Sequence, residues 1–193
     1  MNQLSNYKDD LIKSLETLKK DGTILYPTDT IWGIGCDATN AKAVDKIYSI
    51  KNRVESKSMI ILLADYEQLK YYIKTVPSIA ADLIQSIDKP LTIIYNGAKN
   101  LASNLIAKDG TIAIRIIKHD FCRTLIQTLE HPLVSTSANL SGAQSPHFFA
   151  HIQDHIKTKV DYIVNLEQDI KTVNMASTII KLENSGKYTI IRE

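Results

Sequence analysis

Three stretches carry side chains suited to holding anions. Lys51-Asn52-Arg53 and, shortly after, Lys57-Ser58 put three cations within seven positions. If the chain is extended there, Lys51 and Arg53 point the same way. An arginine fork beside a lysine point charge grips a polyphosphate, each charge-assisted contact contributing about 1.5–3 kcal/mol. A solvated helix terminus is the plainer reading of the same residues. Arg115 lies within Thr111–Ile117, where strand alternation sends Ile112, Ile114 and Ile116 to one face and Thr111, Ala113 and Arg115 to the other. A guanidinium between isoleucines needs a partner. A ligand carboxylate or phosphate serves as well as an internal carboxylate.

In Ser135-Thr136-Ser137-Ala138-Asn139 the alternate positions are all small and polar. An extended backbone aims those hydroxyls and the amide into one space, as phosphate or sugar recognition requires, although an ordinary polar loop has the same composition. Ser145-Pro146 reads as N-cap and first position of a helix running on through Phe148 and Phe149, and such an N-terminus offers free N–H groups to an anion. His147, His151 and His155 form a stripe on that predicted helix. No carboxylate accompanies them, so an exposed helix face is favoured over a metal site. Gly33-Ile34-Gly35-Cys36-Asp37-Ala38 fits a dinucleotide fingerprint, with Glu55 near the acidic position, but no regular βαβ repetition surrounds it and the match reads as accidental. Trp32 suits either a base stack or the core. The chain has no P-loop motif and no recognisable Ser-His-Asp or Cys-His arrangement. That pattern suits a reaction between bound substrates better than covalent catalysis.

The elements that must position these residues are legible in the hydrophobic pattern. Leu11, Ile12, Leu15 and Leu18 recur at helical spacing and stop before Asp21-Gly22. Asn40 is a good N-cap for a helix through Val44, Ile47 and Tyr48. Asp65 and Ser78 read as N-caps for Leu69–Ile73 and Ile79–Ile87, and Phe121, Leu125, Ile126 and Leu129 mark another amphipathic helix. Strands are predicted at Thr23–Tyr26, Met59–Leu63, Leu91–Tyr95, Thr111–Ile117, Leu133–Thr136, Tyr162–Leu166, Ser177–Leu182 and Tyr188–Arg192. Strands and helices alternate too unevenly for a doubly wound pattern. The expected fold is therefore α+β, a twisted mixed sheet with some parallel pairing and flanking helices.

At 193 residues and 44% hydrophobic content, one domain over residues 1–193 is expected. The 23 basic and 21 acidic side chains nearly cancel, so affinity for phosphates or nucleic acid must come from local clustering. Cys36 and Cys122 lack metal or disulfide spacing and read as reduced core residues. The charged N-terminus argues against a signal peptide and no apolar run reaches membrane-spanning length, so a cytoplasmic protein without membrane contact is expected.

Taken together, Tyr26–Gly35, Lys51-Asn52-Arg53, Ala113-Ile114-Arg115, Ser135–Asn139 and Ser177-Thr178 resemble, in order and spacing, the YrdC-like threonylcarbamoyl-AMP synthase family in its short form. The resemblance implies an α/β fold around a basic concave cleft that joins ATP, L-threonine and bicarbonate. By position it implies ATP contacts at Lys51, Arg53, Thr111, Ser137, Asn139, Ser145 and Arg192, with Lys57 adding to the phosphate field. It implies threonine contacts at Thr28, Arg115, Ser135 and Ser177, with Lys51, Arg53 and Arg115 closest to the chemistry. It also implies Mg²⁺ carried with ATP, a downstream tRNA threonylcarbamoyl-transferase complex as partner, and a possible contact with tRNA. Three departures stand out: Lys89-Pro90 where the family has Gly-Pro, Leu166-Glu167 where it has Gly-Gly, and Asn174-Met175-Ala176 in place of a glycine-containing lead. A non-enzymatic RNA-binding module and a paralogue acting on another carbamoyl or acyl substrate are the competing readings.

Overall fold

The computed structural model describes residues 3–52, 59–170 and 175–193. Arg53 and Lys57 lie outside the described residues. Strands β1 (Ile24–Tyr26), β2 (Gly33–Gly35), β3 (Ile60–Leu63), β4 (Leu91–Asn96), β5 (Thr111–Ile116), β6 (Leu133–Ser137), β7 (Tyr162–Ile163), β8 (Thr178–Leu182) and β9 (Tyr188–Arg192) form one mixed, twisted sheet in the order β7-β1-β2-β6-β3-β5-β4-β8-β9. β1/β7, β3/β5 and β4/β8 run parallel, and the other neighbours antiparallel. Helices α1 (Gln3–Lys19), α2 (Ala41–Ile50), α3 (Leu69–Tyr72), α4 (Ile79–Ser86), α5 (Asp120–Leu129) and α6 (Asp154–Lys157) flank it.

Each face of the sheet has its own core. On one, Leu18 of α1 meets Phe121, Cys122, Leu125 and Ile126 of α5 over Ile24, Tyr26, Leu62 and Leu133. On the other, Val44 and Ile47 of α2 cover Leu25, Ile34, Ile61 and Leu63, and this core continues through Ile93, Tyr95, Ile112 and Ile114. Each such fully buried side chain contributes about 1.5–3 kcal/mol of transfer free energy. Asp10, fully buried on α1, accepts from the N–H groups of Asn165 and Leu166 and from the Tyr162 hydroxyl at 2.6 Å. That carboxylate ties the first helix to the chain leaving β7. Cys36 and Cys122 are buried and unpaired, and burial pushes both thiols well above their ordinary pKa.

Several local expectations hold and several give way to packing. Asn40 caps α2 by accepting from the Ala43 N–H, and Asp65 caps a single 3-10 turn leading into α3. Ser78 is helical in conformation and makes no capping bond. The Tyr162–Leu166 strand is confined to two residues, because the backbone beyond them turns to Asp10. No long helix follows Ser145. The segment forms a 3-10 turn at Phe149–His151 and then α6, with Ile152 extended between them. Burial of Ile152 and Ile156, and the contact of Phe149 with Trp32 at 4.9 Å, outweigh helix continuity, so the histidine stripe does not form. Nor is the chain extended after α2: Lys51 is right-handed helical and Asn52 has φ of 48°.

The Gly33-Ile34-Gly35 segment, absent from the predicted strands, is an interior strand of the sheet. A Cβ on Gly35 would lie 2.3 Å from the Val134 carbonyl oxygen and 2.7 Å from the Tyr26 ring. The glycine makes room for that ring, whose hydroxyl donates to the same carbonyl at 3.0 Å. Gly-x-Gly here serves packing and carries no dinucleotide fingerprint. Gly35→Ala is therefore expected to destabilise the protein by about 3 kcal/mol or more through overpacking. A denaturant melt checks this, and a loss below about 0.5 kcal/mol, the range of an inert surface change, contradicts it.

Candidate active site

Register decides which side chains meet. Leu133, Leu62, Arg115, Thr92, Ile179 and Arg192 are successive partners across β6, β3, β5, β4, β8 and β9. Ser135, Ile60, Ala113, Ile94 and Lys181 form the neighbouring row. Partners across a ladder share a face. Arg115, Ser135 and Arg192 therefore look out on the side that carries α1 and α5. A cleft of about 240 Å³ opens there, lined by Thr30, Trp32, Gly33, Ile60, Arg115, Ser135, Ser137, Ser145, Ser177 and Arg192 among others.

Arg115 is 4% exposed, and its Nη2 lies 3.2 Å from Asp29 Oδ1. Its Nη1 donates to Thr30 Oγ1 at 3.0 Å. The Thr28 hydroxyl donates to the Ile31 carbonyl at 2.8 Å, and Thr28 Oγ1 and Thr30 Oγ1 are 2.9 Å apart. With the Thr28 proton committed, the Thr30 hydroxyl donates to Thr28 and its lone pair receives the guanidinium. The second carboxylate oxygen of Asp29 accepts from the Lys118 N–H at 3.2 Å. The ion pair and the Thr30 hydrogen bond fix two corners of the guanidinium fork. Its Nε–H is buried with no hydrogen-bond partner among the described residues, an expensive condition that an anionic ligand group relieves. The arginine thus has the internal carboxylate partner that its sequence setting allowed and also faces the cleft.

Opposite it, Ser177 is 2% exposed, hydrogen-bonds Thr92 Oγ1 at 2.7 Å, and accepts through its carbonyl from Arg192 Nη2 at 2.7 Å. Partial burial, and after it the like charge of Arg115, lower the Arg192 pKa below its ordinary value. Two guanidiniums around one cavity call for an anion between them.

Of the residues singled out in the sequence, Arg115, Ser135, Ser137, Ser145, Ser177 and Arg192 come together on this cleft. Lys51 does not line it. It is 1% exposed, and its ammonium donates to the carbonyls of Ser137 and of Asn139, the latter at 2.6 Å, from beneath the chain leaving β6. Asn139 turns its amide to the carbonyls of Leu140, at 2.9 Å, and Ala143, at 2.7 Å, and so pins the same loop. Thr111 donates to Asp109 at 2.7 Å at the start of β5, and Thr28 lines a small space beside the cleft. Asp29 and Thr30, which sequence reasoning does not single out, belong to the site through Arg115. The signal that points to Asp29 is chemical: an arginine buried in a strand needs a carboxylate, and Asp29 stands in a short polar turn otherwise made of threonines.

The fold and site define a class of protein: an α/β sheet whose exposed face carries an arginine-rich, serine-lined anion cleft without a P-loop. The model for the family designated Sua5, YciO and YrdC, described as "Telomere recombination", matches residues 16–193, and the chain belongs to this family. It is 37% identical over 150 residues to a threonylcarbamoyl-AMP synthase of Idiomarina loihiensis, covering 76% of this chain and 80% of that protein. A second threonylcarbamoyl-AMP synthase, from Pseudoalteromonas translucida, is 34% identical over 155 residues, with 79% and 83% covered. Among solved structures, P. abyssi Sua5 complexed with L-threonine superimposes with a TM-score of 0.83 at 26% identity. That match covers 96% of this chain, which spans 54% of the Sua5 chain. E. coli YciO shares the fold, with a TM-score of 0.77 at 24% identity over 100% of this chain and 90% of that one.

Lys51→Ala removes a buried ammonium from between two loop carbonyls. It is expected to cost about 2–3 kcal/mol of stability, read as a lowered thermal midpoint without nucleotide. An unchanged midpoint would show that the lysine is not needed to hold the cleft wall.

Proposed function

We propose that this chain is an L-threonylcarbamoyladenylate synthase, converting L-threonine, bicarbonate and ATP into threonylcarbamoyl-AMP and pyrophosphate. The observation that carries the reading is the pair of guanidiniums, Arg115 and Arg192, facing one serine-lined cleft, in a chain similar over three-quarters of its length to threonylcarbamoyl-AMP synthases. The substrates are anionic, and the first task of the protein is to gather them without mutual repulsion. Threonine's amine adds to CO2 derived from bicarbonate and loses a proton, giving a carbamate. A carbamate oxygen then attacks the α-phosphate, and the bond to pyrophosphate breaks. Proximity and fixed positive charge supply the barrier reduction, since no protein nucleophile is called for.

In this reading Arg115 takes the threonine carboxylate through its unpartnered edge, with Ser135 and Ser177 beside it. Arg192, Ser137 and Ser145 line the nucleotide side of the cleft, with Arg53 and Lys57 assigned there by the family resemblance. Lys51 and Asn139 support the nucleotide site by fixing the loop after β6, and Thr28 acts through Thr30. Thr111 is assigned to ATP by the resemblance alone. Among the described residues no group of three or more His, Cys, Asp or Glu is placed to hold an ion. In this reading Mg²⁺ enters with ATP, ligated chiefly by phosphate oxygens. The product would serve a tRNA threonylcarbamoyl-transferase complex in a cytoplasmic setting. Among the described residues no helix is long and apolar enough to cross a membrane. The near balance of 23 basic and 21 acidic side chains favours the enzyme over a module that binds RNA without catalysis.

The test is pyrophosphate release by purified protein given ATP, Mg²⁺, bicarbonate and each amino acid in turn; release must require both threonine and bicarbonate, and its absence removes the reading. Arg115→Lys keeps the charge and loses the fork. Its KM for threonine is expected to rise about tenfold while that for ATP stays within about twofold. Equal effects on both substrates would refute this division of the cleft.

A further inference from the structure

Beside the main cleft lies a small annex. Thr28, Thr30, Trp32, His147 and Glu167 help enclose about 30 Å³ of space. Thr30 and Trp32 also line the main cavity, so the two spaces adjoin beside Arg115. A cavity of this size holds one water-sized group, and an ammonium group is of that size.

Glu167 brings the annex its negative charge, and its backbone is unusual. Its φ is 63°, a left-handed conformation that glycine adopts freely and a side chain with a Cβ adopts at a cost. Among the described residues the other glutamate with positive φ, Glu130, is the C-cap of α5, where that conformation is ordinary. Glu167 instead begins a turn beyond β7, its carbonyl accepting from the Ile170 N–H at 3.2 Å. This is one of the positions where the family resemblance calls for glycine, and a strained residue kept on a cavity wall indicates a use for its side chain. The carboxylate is held from behind: His119 Nε2 lies 3.1 Å from Oε1, and the His119 side chain is 12% exposed. Among the described residues nothing donates to Oε2.

Thr30 thus stands between a guanidinium, which it receives at 3.0 Å, and a space with a carboxylate on its wall. An α-amino acid carries its carboxylate and its ammonium on one α-carbon, so its two charges match this division. We infer that Glu167 binds the α-ammonium of the amino-acid substrate in the annex while Arg115 holds its carboxylate. This makes the site a reader of the zwitterion, and it rests on the synthase reading above. Glu167 adds a negative group to a cleft otherwise dominated by arginines. It favours amino acids over carboxylic acids that lack the amine which must react.

Titration calorimetry on the full chain tests this with two ligands, L-threonine and 3-hydroxybutyrate, which keeps the carboxylate and hydroxyl but lacks the ammonium. Glu167→Gln and Glu167→Gly are each expected to weaken threonine about tenfold while leaving 3-hydroxybutyrate within about twofold. The glycine variant, freed of backbone strain, is expected to melt no lower than the parent. Parallel loss for both ligands, or threonine affinity within twofold of the parent in both variants, overturns the inference and leaves the synthase reading standing. A parent protein that binds no threonine overturns the synthase reading itself.

Discussion

A guanidinium inside an apolar strand is the constraint from which the rest of the site follows. Arg115 sits on β5 between Ile114 and Ile116 and is 4% exposed, where an uncompensated charge is untenable. The turn after β1 supplies its compensation in one stroke: Asp29 provides the countercharge and Thr30 a hydroxyl oriented by Thr28. The arginine is therefore aimed before any ligand arrives. What remains unsatisfied, the Nε–H, is the part of the fork left for an anion. Preorganisation of this kind lowers the cost of binding, because the side-chain ordering is done during folding.

The second buried cation has a different task. Lys51, at the end of α2, spends its ammonium on the carbonyls of Ser137 and Asn139. Sheet order makes this possible: β6 lies between β2 and β3, and the chain leaving it passes over the end of α2. Ser135 and Ser137 face the cleft because Lys51 and the Asn139 amide hold the loop that follows them. Two cations of similar sequence appearance thus divide into one that meets the cleft and one that builds its wall. The spacing of basic residues along the chain did not distinguish them.

Packing on the same face of the sheet, beneath the cleft, settles the remaining geometry. Tyr26 fills the space that Gly35 leaves open and donates to Val134, locking β1, β2 and β6 together just behind the serines. Burial keeps that phenol protonated by raising its pKa well above the ordinary value. Burial likewise raises the pKa of the Cys36 and Cys122 thiols well above the ordinary value.

The amino-acid sequence by itself determined the strands whose apolar residues alternate, the helices with strong apolar faces, the reduced state of the cysteines and the family. Those properties depend on local periodicity and on residue type, both of which are written along the chain. It did not determine that Gly33–Gly35 is a strand, because a three-residue glycine-rich segment has no periodicity of its own and forms only between β1 and β6. It did not separate Lys51 from Arg115, or show that Asp29 and Thr30 meet Arg115 and that Glu167 lines the space beside the cleft. Those residues are brought together across separations of 48 to 88 positions by the register of a mixed sheet. Pairing between distant strands is a tertiary choice, made by the burial of two opposing cores.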